Sequence, residues 1–159
     1  MKKIFMTMLL AIMATTINAQ VTMNVRVGGG ILSDLECDEI TGSFAFQTNI
    51  PFSKGSTFTF SPSLWLLLSG EDQGVLFPLQ VGKKVPLSNR TLFFPKVGAT
   101  LGYQNEQFNI GPSLALAIET GHFVVSLDAY ISQIKKEIDD PHYSDYSPYA
   151  ASLTLGYKF

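Results

Sequence analysis

The sequence is short of charge, nearly free of cysteine and, beyond its first residues, without any long apolar run. Only 15% of its 159 residues are charged, against about 25% in an ordinary soluble domain. A water-covered surface would be poorly supplied. The single cysteine, Cys37, excludes an intramolecular disulfide and points to a passive free thiol. Basic clusters never exceed two residues and the formal charge is -2, which argues against a nucleic-acid partner. What is abundant excludes disorder: 12 Phe, 6 Tyr and a mean hydropathy of +0.20 belong to a chain that buries apolar surface.

The N-terminus reads as an export signal. Lys2 and Lys3 precede an apolar run over 4–14, and small and polar residues follow up to Ala19. This is the layout of a cleavable secretory peptide, and the run is too short to cross a hydrocarbon core about 30 Å thick. Cleavage is expected after Ala19, so that 1–19 is the signal peptide and 20–159 a single exported domain. Of the 11 basic residues, Lys2 and Lys3 would then be lost, leaving nine against 13 acidic ones, a net charge of -4.

Apolar residues in the rest of the chain alternate. Val21, Met23, Val25, Val27 and Ile31 take one parity near the start, and Leu153, Leu155, Tyr157 and Phe159 take one near the end. A period of two is the signature of a strand. Six more segments of this kind fall at 41–50, 56–67, 75–85, 91–103, 108–118 and 122–134. Eight strands of such length suit a tilted bilayer crossing, and eight is a common size for a membrane barrel. The predicted fold is therefore all-β: an eight-stranded antiparallel up-and-down transmembrane β-barrel. Charge tests the count independently. The connections after the odd-numbered strands hold Asp34, Glu36, Asp38, Glu39, Glu71, Asp72, Glu106, Glu137, Asp139, Asp140 and Asp145, which is eleven of the 13 acids. Lys54, Lys83, Lys84 and Arg90 gather at the other connections, so the two ends differ in sign.

The face opposite the apolar one decides between a membrane barrel and a soluble one. It carries Asn24, Ser43, Gln47, Asn49, Thr59, Ser61, Thr100, Asn109, Ser113 and Thr154, small and neutral where a solvated exterior would be about 25 to 35% charged. Such residues suit a cramped polar lumen. The long charged side chains expected inside are Arg26, Lys84, Lys96, Glu119, Asp128 and Lys158, and the cost of burying charge predicts a network centred on Asp128 with Arg26 or Lys96. Gly28, Gly29 and Gly30 fit tight curvature or close packing in a strand. Trp65, Tyr103, Tyr149 and Tyr157 are expected in girdles at the membrane interfaces. Pro62, Pro78, Pro95 and Pro112 fall inside four consecutive strands and predict bulges or pairing gaps.

The segments Phe60-Ser-Pro-Ser-Leu-Trp-Leu, Leu76-Phe-Pro-Leu-Gln-Val-Gly, Phe93-Phe-Pro-Lys-Val-Gly-Ala and Ile110-Gly-Pro-Ser-Leu-Ala-Leu, closed by Leu153-Thr-Leu-Gly-Tyr-Lys-Phe159, resemble the outer membrane protein beta-barrel domain family of Bacteroidota. The architecture is similar to small OmpX and OmpA-type barrels. The resemblance covers nearly all of the exported part. It implies residence in the outer membrane, among its lipids and lipopolysaccharide, and reading of Tyr157 and Phe159 by the barrel assembly machinery. It supplies no substrate.

Catalytic chemistry finds little support. His122, Ser126 and Asp128 share a parity on the seventh strand, but residues four apart on a strand are separated by roughly 13 Å. Asp34, Glu36, Asp38 and Glu39 bring four carboxylates into one short connection, a density that could hold a divalent cation, without the spacing of a known calcium loop. No enzyme activity, metal or cofactor is expected, and the protein is expected to be a monomer. A structural or adhesive anchor is the expected role, with the acidic connections, especially 135–147, as contact surface. A narrow pore is the alternative, and a lipid-directed hydrolase a distant third.

Overall fold

A computed structural model describes residues 21–33, 38–68, 73–104, 107–132 and 149–159. The proposed signal peptide, Cys37 and the 135–147 connection lie outside them. The described chain forms strands β1 (Thr22–Ser33), β2 (Asp38–Pro51), β3 (Phe58–Leu68), β4 (Gln73–Lys83), a two-residue β5 (Val85–Pro86), β6 (Thr91–Gln104), β7 (Gln107–Thr120), β8 (Phe123–Ile131) and β9 (Tyr149–Lys158). All pairings are antiparallel; they join sequence neighbours except that β4 pairs with β6 and β9 pairs back onto β1, which closes the sheet. The short β5 continues β4 beyond Lys84 in the same register against β6. The barrel thus has eight walls, as the alternation predicts.

Following lateral neighbours once around the wall fixes its shape. The path from Thr22 through Asn49, Ser61, Gln80, Gly98, Ser113, Tyr130 and Ala150 returns to β1 at Leu32, a stagger of ten residues. With strands about 4.8 Å apart and a rise of about 3.3 Å per residue, this stagger tilts the strands by about 40°. A ten-residue strand at that tilt spans roughly 25 Å, the height of an apolar band in a membrane barrel.

The prolines leave gaps and no bulges. Pairing lapses between Gln47↔Ser63 and Ile50↔Phe60, opposite Pro62, and between Pro62↔Leu79 and Trp65↔Leu76, which takes in Pro78. It lapses again between Gly82↔Lys96 and Val85↔Phe93, which takes in Pro95 and divides β4 from β5. Each ladder resumes in the same register, so the missing N–H donor costs local pairing without adding a residue to either strand. At Pro112 the ladder with β7's neighbour simply ends, at Ser113↔Tyr130.

Polarity runs opposite to that of a soluble protein. Val27, Val97, Phe123, Leu153 and Leu155 lie 58 to 70% exposed, while Asn24, Arg26, Gln47, Lys96, Glu119 and Thr154 are each 1 to 2% exposed. No water-facing surface would place its charge inside and its Leu, Val and Phe outside. A hydrocarbon surround explains both, because a closed barrel satisfies its backbone hydrogen bonds internally. Tyr103, Phe108, Phe123 and Tyr157 project outward near strand ends, at girdle positions. Trp65 does not. It is 3% exposed inside the barrel, where its Nε1 donates to Ser43 Oγ at 2.8 Å. Strand parity, which places Trp65 with Ser61 and Leu67, overrides the interfacial preference of tryptophan.

Candidate functional site: the barrel lumen

The lumen is layered. One end is bounded by Val21, Phe159 and the connections through Gly55, Arg90 and Gly121, and the other by the strand ends Ser33, Asp38, Leu68, Gln73, Gln104, Gln107, Ile131 and Tyr149. The first is called the turn end, the second the loop end. Toward the loop end the inward parity carries Leu32, Trp65, Leu67, Leu76, Tyr130, Ala45 and Ala150, which pack into one buried cluster. Sequence reasoning described the lumen as polar throughout and missed this plug. The signal was present, since Leu67 and Leu76 have inward parity, but it takes ring closure to bring residues from six strands to one level.

Below the plug lies a polar and ionic belt. Arg26 on β1 donates through Nη1 to Asp128 Oδ2 on β8 at 2.6 Å and through Nη2 to Oδ1 at 3.4 Å, a forked contact. Thr154, on the intervening β9, accepts from Nη1 at 3.4 Å. The pair therefore spans a single strand along the wall. Gly156 makes this possible, because a Cβ there would collide with the backbone oxygen of Val25 and with Arg26 Cγ. Lys96 does not join Asp128. Its Nζ crosses the lumen to Gln47 Oε1 at 2.9 Å, and Asn24 Nδ2 donates to the same oxygen at 3.3 Å.

The third layer lies at the turn end. Glu119 on β7 holds Lys158 on β9 at 2.8 Å and Lys84, between β4 and β5, at 3.5 Å. Glu119 is fully enclosed, while the two lysine side chains are 17% and 20% exposed and bring water to the mouth. Both Lys84 and Lys96 lie over the Phe94 ring, with Nζ at 5.3 and 5.2 Å from its centroid. Gly82 leaves the space for this, since a Cβ would fall 2.5 Å from Lys96 Cγ and 2.6 Å from Phe94 Cε2.

Other sequence candidates fall elsewhere. His122 is exposed at the hairpin, stacked on Tyr157 at 5.3 Å and 6°, with Nδ1 3.1 Å from the Lys158 carbonyl oxygen. Ser126 and Asp128 face the lumen, so His122 does not share their face and no nucleophile assembly exists there. The turn tips the ring outward, which strand parity alone does not foresee. Asp38 and Glu39 are part of β2, opposite Ser33 and Leu32, so the expected four-carboxylate connection narrows to Asp34 and Glu36, outside the described residues. Tyr157 stands at the centre of an exposed aromatic group with His122, Phe123 at 6.2 Å and Phe159 at 5.1 Å. Close approach at Gly28 and Gly30 is confirmed by the strand backbone that a Cβ would strike, whereas Gly29 has nothing nearer than 3.9 Å.

Inverted polarity, a closed eight-walled barrel and a filled, layered lumen define a transmembrane β-barrel of the outer-membrane type. No protein-family model and no curated protein sequence matches the chain. Solved structures do. Neisserial surface protein A matches 87% of this chain and 95% of its own with a TM-score of 0.68 at 7% identity. The N-terminal barrel of Pseudomonas aeruginosa OprF matches over 89% and 100% with a TM-score of 0.55 at 12% identity. Ail of Yersinia pestis matches over 89% and 99% with a TM-score of 0.54 at 10% identity. At these identities the likeness is one of fold.

Proposed function

We propose that the protein is a non-conducting anchor of the bacterial outer membrane that holds its loop end at the cell surface for structural or adhesive contact. The apolar plug carries this reading. Leu32, Trp65, Leu67, Leu76 and Tyr130 are each at most 3% exposed and fill the bore between the ionic belt and the loop end. Short turns belong on the periplasmic side and longer loops outside, which supports placing the turn end in the periplasm. The same reading includes a cleaved 1–19 signal, a monomer surrounded by phospholipid and lipopolysaccharide, and docking of the Tyr157 and Phe159 strand on the barrel assembly machinery. The proline-bearing motifs support an origin in Bacteroidota.

Ail of Yersinia pestis, named for attachment and invasion, has been solved with a heparin analogue. In this chain the connections at the loop end hold most of the acids, among them Asp34, Glu36, Glu71, Asp72, Asp139 and Asp140. Like charge repels a sulfated glycan, which argues against a ligand of that kind here. Planar-bilayer recording tests the anchor. The intact protein is expected to give no steady current, and Leu67→Ser with Leu76→Ser is expected to open one. A steady current through the unsubstituted protein overturns the reading in favour of a narrow pore.

A further inference from the structure

Among the described residues the lumen charges do not balance. Arg26, Lys84, Lys96 and Lys158 face two carboxylates, Asp128 and Glu119. Asp128 is taken by Arg26, and Glu119 by Lys158 and Lys84. Lys96 is left at 1% exposure with a neutral amide as its acceptor and no ion pair among the described residues. An ammonium in so dry a place ordinarily pairs.

Its neighbours also include idle donors, beside idle acceptors such as Asn24 Oδ1 and Thr100 Oγ1. Gln47 Nε2, Asn49 Nδ2 and Arg26 Nε are buried donors with no hydrogen-bond partner. Gln47 is the residue that Lys96 itself contacts, Asn49 lies two positions further along the same inward face, and Arg26 lies two positions from Asn24, which shares Gln47 Oε1. Idle donors and acceptors could satisfy one another through water, but the unpaired Lys96 cation could not, and with three N–H groups in the same belt it gives the chemistry of an anion site.

From this we infer that the mid-lumen belt binds a small monovalent inorganic anion, of which chloride is the abundant example, against Lys96 Nζ. Entry is from the turn end, where Lys84 and Lys158 are the partly exposed charges, because the plug closes the other route. A large or divalent anion does not fit a bore already filled by side chains. The site is a counter-ion site, so it requires no conduction through the barrel.

Refolded protein in a zwitterionic detergent tests this, with thermal unfolding measured in sodium chloride and in sodium gluconate at equal ionic strength. Chloride is expected to raise the midpoint progressively with its concentration, and bromide to substitute for it. In Lys96→Met, which keeps the stem against Phe94, the two salts are expected to give the same midpoint. Broadening of the chloride-35 NMR line by the unsubstituted protein, reversed by bromide, is the second readout and requires no variant to fold. Equal midpoints in both salts with no line broadening would show that water alone, or a neutral Lys96, fills the belt, and would overturn the inference. A chloride effect that survives unchanged in Lys96→Met would overturn its location.

Discussion

The two halves of the lumen solve one packing problem by different chemistry. Toward the loop end, inward positions carry Leu32, Trp65, Leu67, Leu76 and Tyr130, which fill space by volume. Toward the turn end the same parity carries Arg26, Lys96, Glu119, Asp128 and Lys158, which fill it with long charged chains in fixed partnerships. Apolar filling tolerates exchange of shape, whereas ionic filling fails when a single partner is removed. The difference teaches that a barrel interior can be filled by apolar volume at one level and by paired charge at another while its outer face stays uniform.

The largest expected effect attacks the ionic half. Asp128→Ala strands the Arg26 guanidinium, and losing one member of a buried pair costs about 3 to 5 kcal/mol. Urea unfolding in detergent should show this loss, and Arg26→Met added to Asp128→Ala should restore much of it. If the double variant is no better than the single one, the forked contact is not what organises this half. Next comes the wall itself. Gly98→Ala would drive a Cβ into the backbone of Leu79 and Gln80, an overpacking expected to cost about 1 to 3 kcal/mol. Refolding yield and the unfolding midpoint should both fall, with Gly29→Ala, where a Cβ meets nothing nearer than 3.9 Å, as the matched control.

The smallest effect probes the plug. Ser43→Ala removes the acceptor of Trp65 Nε1 and leaves a buried donor unsatisfied, for about 1 to 2 kcal/mol. Its fluorescence should stay that of a buried indole, since the surrounding leucines still hold the ring. An emission shift to that of exposed tryptophan would mean that Ser43, and not the apolar packing, holds the plug together.

Much of this fold was legible in the alternation. Which residues face lipid and which face inward follows from parity, from Val21 to Phe159, and the charge difference between the ends follows from counting connections. Partnerships were less legible, because they depend on the stagger. Strand order alone cannot tell that Asp128 meets Arg26 across one strand while Lys96 reaches over the bore to Gln47. At Trp65 parity outweighs the interfacial preference of the residue type. The expectation at the prolines held for gaps and not for bulges, since a lost donor need not displace the ladder. His122 escaped because a hairpin residue obeys the turn and not the strand.

Inside-out polarity underlies every other conclusion, and spin-label accessibility along β8 in lipid vesicles measures it directly. Nitroxides placed one at a time from 123 to 131 should show oxygen accessibility with a period of two, high at 123, 125, 127 and 131 and low at 124, 126, 128 and 130. Maxima at 124, 126 and 128, or high accessibility of the odd positions to a water-soluble nickel complex, would contradict the account.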